Sequence, residues 1–162
     1  MAYIFFSLQI LPLKPLEHCD SIYIKVCKES CELSGMHIDQ STIDWWNTQD
    51  ADIRREVIDD PVGRVTIKDA LTKLKEWVEG TGCKLIWSHG DDFDCVILKE
   101  AYDIFNMKPP WDFWNTRDTR TLYDIANVNF RSFNTSNKHH PLHDCYNQIL
   151  ALRKSFNKIK IN

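Results

Sequence analysis

The chain has 162 residues, 43% of them hydrophobic and 27% charged, which fits one packed domain, 1–162, and rules out wholesale disorder. The longest apolar run, residues 3–13, is broken by Ser7, Gln9 and Pro12. It is too short to span a bilayer and lacks the basic segment of a secretory signal. A formal net charge of −3 argues against a generic polyanion binder, yet from residue 131 onward Arg131, Lys138, Arg153, Lys154, Lys158 and Lys160 face the single acid Asp144. That asymmetry is compatible with a nucleic-acid-facing side, or with nothing more than a solvated basic helix end.

Residues 3–11 read as a buried strand ended by Pro12 and Pro15, and residues 21–26 as a strand with Ile22, Ile24 and Val26 on one side. A polar stretch follows. Short helical patterns then begin at Ser41, with Ile43 and Trp46 on one face, and run over residues 53–58. The spacing predicts a longer helix over 67–79, capped by Thr66 with Asp69 three residues on, stopped by Gly80 and Gly82, and apolar along Ile67, Ala70, Leu71, Leu74, Trp77 and Val78.

Residues 83–87 form the next expected strand, leading through Ser88-His89-Gly90-Asp91-Asp92 into a helix over 93–105. Phe113 and Trp114 are expected in a short strand, 119–126 in a helix, 127–138 in a polar loop. A last helix is expected over 141–156 with Leu142, Ile149, Leu152 and Phe156 inward. This order predicts an α/β fold, a mixed sheet flanked by helices. The six cysteines, Cys19, Cys27, Cys31, Cys83, Cys95 and Cys145, lack paired spacing and suggest reduced thiols in a cytoplasmic protein.

Three places concentrate chemistry. Asp94, with Asp91 and Asp92, opens a helix at the carboxyl end of a strand, a position suited to a metal or equally to a helix cap. His139 stands five residues before Asp144 with Pro141 between them, so an imidazole on the incoming loop and a carboxylate on the first helical turns can share a site. Zinc ligation by His139, His143 and Cys145 ranks lower, because no second ligand cluster is apparent. In Arg117-Asp118-Thr119-Arg120, the arginines have forked donors for phosphate, and an Asp118/Arg120 ion pair at a helix start is an equal alternative.

The blocks Ile38 to Trp46, Trp87 to Leu98, Pro109 to Leu122 and His139 to Asp144 resemble, in order, those of the phage and prophage 3′ to 5′ exonuclease family. That family is related to exodeoxyribonuclease VIII and to mycobacterial 3′ to 5′ exoribonucleases, in the DEDDh branch of the ribonuclease-H-like superfamily. The likeness covers roughly residues 21–155. It implies a ribonuclease-H-like mixed sheet, two divalent cations, Mg²⁺ or Mn²⁺, and release of nucleoside monophosphates from a single-stranded 3′ end. By position Asp94 resembles the second-motif metal ligand, Asp144 the third-motif ligand and His139 the general base. Asp118 and Arg120 match a structural or substrate-positioning block.

The first motif departs from the family. Where an Asp and a Glu two apart are expected, the strand carries Ser7 and Gln9; under a second alignment that strand corresponds to the family's second one. Either way the N-terminal strands are shortened or remodelled and two of four metal-site carboxylates are missing. Magnesium is held chiefly by hard carboxylate and phosphate oxygens, so both cation sites are expected to weaken sharply. The leading expectation is a degenerate, catalytically impaired member that still binds a nucleic-acid end or a host or phage protein. The rivals are an active metal-dependent exonuclease and a pure interaction module, such as a phage inhibitor of host defence, with exposed tryptophans among Trp45, Trp46, Trp111 and Trp114.

Overall fold

The computed structural model describes residues 21–133 and 139–161. In chain order these form α1 (Lys28–Leu33), α2 (Gln40–Asn47), α3 (Ala51–Arg54) continued by a π-helical turn (Arg55–Asp59), α4 (Ile67–Thr81), β1 (Ile86–Ser88), α5 (Asp91–Ile104), a 3₁₀ turn (Phe113–Asn115), β2 (Thr116–Asp118), α6 (Thr119–Ile125), a second 3₁₀ turn (Phe130–Phe133) and α7 (Pro141–Ile161). The expected strand over 3–11, with Ser7 and Gln9, lies outside the described residues, as does Cys19.

α4 is the backbone of the first core. The Thr66 hydroxyl accepts the Asp69 N–H at 3.2 Å and donates to its carboxylate at 2.8 Å, fixing the first turn. Ile67, Ala70, Leu71, Leu74 and Val78 are buried along one side. Each large side chain of that row stabilises the fold by about 1.5–3 kcal/mol relative to exposure. Gly80 is tolerated inside the last turn, and the helix stops where Gly82 takes φ 68°, a left-handed cap that a side chain disfavours. Opposite, α5 buries Leu98, Ala101 and Tyr102, and the Tyr102 hydroxyl donates to the Leu71 carbonyl at 2.9 Å.

β1 and β2 run parallel, with Ile86 beside Thr116, Trp87 beside Arg117 and Ser88 beside Asp118. Because side chains alternate across a strand, Ile86 enters the α4/α5 core while Trp87 points the other way, edge-on to Phe156 of α7 at 5.8 Å. A second core, of Tyr123, Ala126, Val128, Ala151 and Leu152, occupies that side. The described residues thus form a mixed α/β arrangement, mostly helical, around a small parallel sheet with packing on both faces.

Several expectations are corrected. Among the described residues, 21–26 pair only at Val26 with Val65, and the Arg64 guanidinium donates to the carbonyls of Val26, Val57 and Asp60. α1 falls in the stretch read as merely polar. α2 is capped by Asp39 and α3 by Asp50, so both start before the expected points. β1 begins three residues later than expected and α5 two residues earlier. Phe113 and Trp114 form a 3₁₀ turn, and the strand is the next triplet, Thr116–Asp118. α7 continues to Ile161; Leu152 is buried and Phe156 packs on the second core as expected, but the buried face also takes in Asn147, Ala151 and Ser155, and Leu142 is 38% exposed. Ser155 hides from a polarity pattern because its hydroxyl satisfies itself on the Ala151 carbonyl at 2.9 Å.

Candidate nucleic-acid cleft

The carboxyl ends of the two parallel strands lead into two turns that are fastened together. Gly90, between β1 and α5, has φ 112°, outside the comfortable range of any residue with a side chain. Its N–H donates to Asp118 Oδ1 at 3.1 Å. That oxygen also accepts the Arg120 N–H at 3.1 Å, and Thr121 Oγ1 donates to Oδ2 at 3.2 Å, so Asp118 caps α6 while holding the neighbouring turn. The absence of a side chain on Gly90 leaves room for the Arg120 guanidinium, whose atoms lie 3.1–3.3 Å from where a Cβ would stand.

Asp94 sits in the first turn of α5 and accepts the backbone N–H of His89. Burial pushes its carboxyl up to about 6, against the opposing pull of Arg120 and that hydrogen bond, with Asp92 adding to the rise. A helix N-terminus ordinarily favours a carboxylate; here desolvation outweighs it. His89 is held from behind, Nδ1 at 2.9 Å from Thr119 Oγ1 and the ring 4.7 Å from that of Phe130. Burial, then the charge of Arg120, lowers its pKa, and Asp118 partly offsets this.

The facing wall comes from the start of α7. Pro141 is buried at the first helical position, where its missing N–H costs nothing. His139 precedes it with φ 69°, a left-handed conformation rare outside glycine, and its backbone N–H donates to the Asp144 carboxylate. Asp144 is half-buried; desolvation raises its pKa, and the positive fields of His139, His140 and His143 oppose the rise. The His139 ring stands edge-on to Trp45 of α2 at 4.9 Å, and Trp45 is in turn edge-on to Trp46 at 5.0 Å. Next door, His140 Nε2 lies 3.1 Å from Glu56 Oε1, tying α7 to the π turn.

These walls enclose a cleft of about 1050 Å³. Asp94, Asp144, His139 and Arg120 all line it, together with His89 and an apolar side that includes Trp45, Phe93 and Val96. Four of the residues singled out in the sequence therefore meet. Asp118 stands behind them as a brace, and its bond to Arg120 is through the backbone N–H. From the sequence, His89 is only a turn residue and the seat of Arg120 is not evident; Gly90, a glycine at a strand-to-helix turn, is the available signal. Of the four tryptophans, Trp46 and Trp111 are core, whereas Trp45 and Trp114 are 44% and 60% exposed.

Among the described residues no group of three or more His, Cys, Asp and Glu side chains is arranged to hold a metal ion. The zinc arrangement of His139, His143 and Cys145 is thereby overturned, and the His143 ring packs against His140 at 5.0 Å. Of the other acids near Asp94, the Asp91 carboxylate accepts the Thr116 hydroxyl at 3.4 Å and Asp92 is exposed. Asp39 and Glu100 also line the cleft, but among the described residues they are not grouped with Asp94 and Asp144 to hold an ion, and Asp94 and Asp144 by themselves do not fit a centre for two cations. No helix among the described residues is long and apolar enough to cross a membrane.

The family model of the 3′-5′ exoribonuclease Rv2179c-like domain matches residues 14–156. The match begins beyond Ser7 and Gln9 and takes in all five of Asp94, Asp118, Arg120, His139 and Asp144. No curated protein and no solved structure matches the chain.

Proposed function

The chain belongs to the family of the 3′-5′ exoribonuclease Rv2179c-like domain, and within it we propose a degenerate member: a protein that receives a single-stranded 3′ end in the cleft but hydrolyses it slowly or not at all. One observation carries this reading. Asp94 and Asp144 share the cleft with His139 and Arg120, no third acid among the described residues is grouped with them to hold an ion, and the sequence has no Asp or Glu before Glu17.

Hydrolysis of a phosphodiester by a pair of divalent cations needs enough anionic oxygen to keep both ions beside the scissile phosphate. By the resemblance, two such anions are expected at the sequence positions of Ser7 and Gln9, whose side chains are a neutral hydroxyl and a neutral amide. His139, positioned by its bond to Asp144, retains a general base's share, on the order of 10²- to 10⁴-fold in rate. Arg120 offers forked donors to a phosphate. Binding is the function that these groups sustain. The exposed Trp45, which lines the cleft, favours a second reading, in which a host or phage protein docks there.

Incubation of labelled single-stranded RNA and DNA with the protein in Mg²⁺ or Mn²⁺ tests the proposal on a sequencing gel. The substrates are expected to stay intact while fluorescence anisotropy reports binding. Metal-dependent laddering that disappears in Asp144→Ala would establish an active exonuclease releasing nucleoside monophosphates instead.

A further inference from the structure

α7 links the cleft to a second, differently charged surface. Its first turns carry Asp144 and line the cleft; beyond Asp144 the chain holds four Lys or Arg and no acid. Two of these are fixed at one corner of the molecule. The Lys154 ammonium lies over the Phe133 ring, 5.4 Å from its centroid, and Lys158 Nζ donates to the Asn127 carbonyl at 2.7 Å. Both therefore pack on the stretch that follows α6, Lys158 just before the second 3₁₀ turn and Lys154 on the turn itself, which carries the exposed Arg131. Between Thr119 and Phe133 the only acid is Asp124, on α6.

We infer that this corner, Arg131, Lys154 and Lys158, seats the sugar-phosphate backbone of a single strand whose 3′ end lies in the cleft. The inference rests on the functional reading above. With a helical rise of about 1.5 Å per residue, Lys154 and Lys158 stand roughly 15 and 21 Å along the axis from Asp144. Cations at that separation meet phosphates several nucleotides upstream of the end. The contacts are sequence-independent, and each phosphate neutralised releases counterions. The net charge of −3 does not oppose this, because the field that a strand meets is that of the local patch. A helix C-terminus also favours lysine through its dipole, but that accounts for neither Arg131 nor the position of Lys154 over a neighbouring segment.

The test compares a labelled dinucleotide with a single-stranded RNA of roughly 20 nucleotides in EDTA, by anisotropy, between about 50 and 200 mM salt. The longer RNA is expected to bind at least about tenfold more tightly. The Arg131→Gln/Lys154→Gln/Lys158→Gln variant is expected to reduce its log K against log salt slope by about 2, leaving the dinucleotide unaffected. Arg131→Gln alone, whose side chain is at the surface, is expected to reduce the slope by about 0.7 and guards against a folding defect in the triple variant. A longer RNA that binds no more tightly than the dinucleotide overturns the inference, as does an unchanged slope in both variants. Tight, salt-sensitive binding of the longer RNA without dinucleotide binding supports the corner while contradicting the cleft.

Discussion

The N–H of Gly90 and the N–H of Arg120 both donate to Asp118 Oδ1, each at 3.1 Å, so one carboxylate fixes two strand-to-helix turns at once. Everything on that wall of the cleft depends on it. Gly90 determines where α5 starts and hence where Asp94 stands; Arg120 lies across Gly90 and sets the field that Asp94 feels.

Asp118→Ala removes the α6 cap and the partner of the Gly90 amide together. A loss of about 1–2 kcal/mol in urea unfolding is expected. Asp118→Asn keeps a cap acceptor and restores most of it. Faster hydrogen exchange at the Gly90 amide in the alanine variant, with other α5 amides unchanged, is the local readout.

Gly90→Ala meets both a positive φ and the Arg120 guanidinium. The guanidinium is the end of a flexible side chain and can swing away, so the lasting cost is conformational, about 1–2 kcal/mol by denaturant titration. Oligonucleotide affinity is expected to fall with it, because the displaced Arg120 no longer faces the cleft.

Replacing His139, whose φ is 69°, separates strain from chemistry. His139→Gly relieves a left-handed conformation and is expected to raise stability by about 1 kcal/mol over His139→Ala. Both variants lose the ring against Trp45, so both are expected to weaken binding of a 3′ end equally.

The pH dependence follows from Asp94. In the unfolded chain this carboxyl releases its proton near 3.8, whereas in the folded protein it holds it up to about 6. Folding therefore takes up a proton between these values, and stability falls as pH rises through that window. Asp144, also raised, acts in the same direction. After discounting for partial solvent exposure, Asp94→Asn is expected to gain about 1 kcal/mol over the parent at neutral pH and nothing at acid pH. Urea unfolding across the window measures this, and a pH-independent difference would show that the carboxyl is not desolvated.

Much of this wall was legible in the sequence because its signals are local. Thr66 and Asp69 announce the start of α4, Gly82 its end, and the turn after Trp87 announces a site at a strand's carboxyl end. Long-range satisfaction was not legible. Arg64 ties together the carbonyls of Val26, Val57 and Asp60, which come from separate parts of the chain. Ser155 is buried because it bonds within its own helix. Phe113 and Trp114 have strand-forming side chains, yet the pairing triplet is Thr116–Asp118, in register with Ile86–Ser88. Convergence of Asp94, His139 and Asp144 is expected from ordered motif blocks, one of which carries Arg120; the fold adds the seat of Arg120 over Gly90.

Calorimetric titration with Mn²⁺ in the presence of a nucleoside monophosphate bears most directly on the shortage of anionic ligands. The account predicts millimolar or weaker binding of manganese, with the nucleotide binding largely independent of it. Two manganese ions per chain at micromolar affinity, abolished in Asp144→Asn, would contradict it.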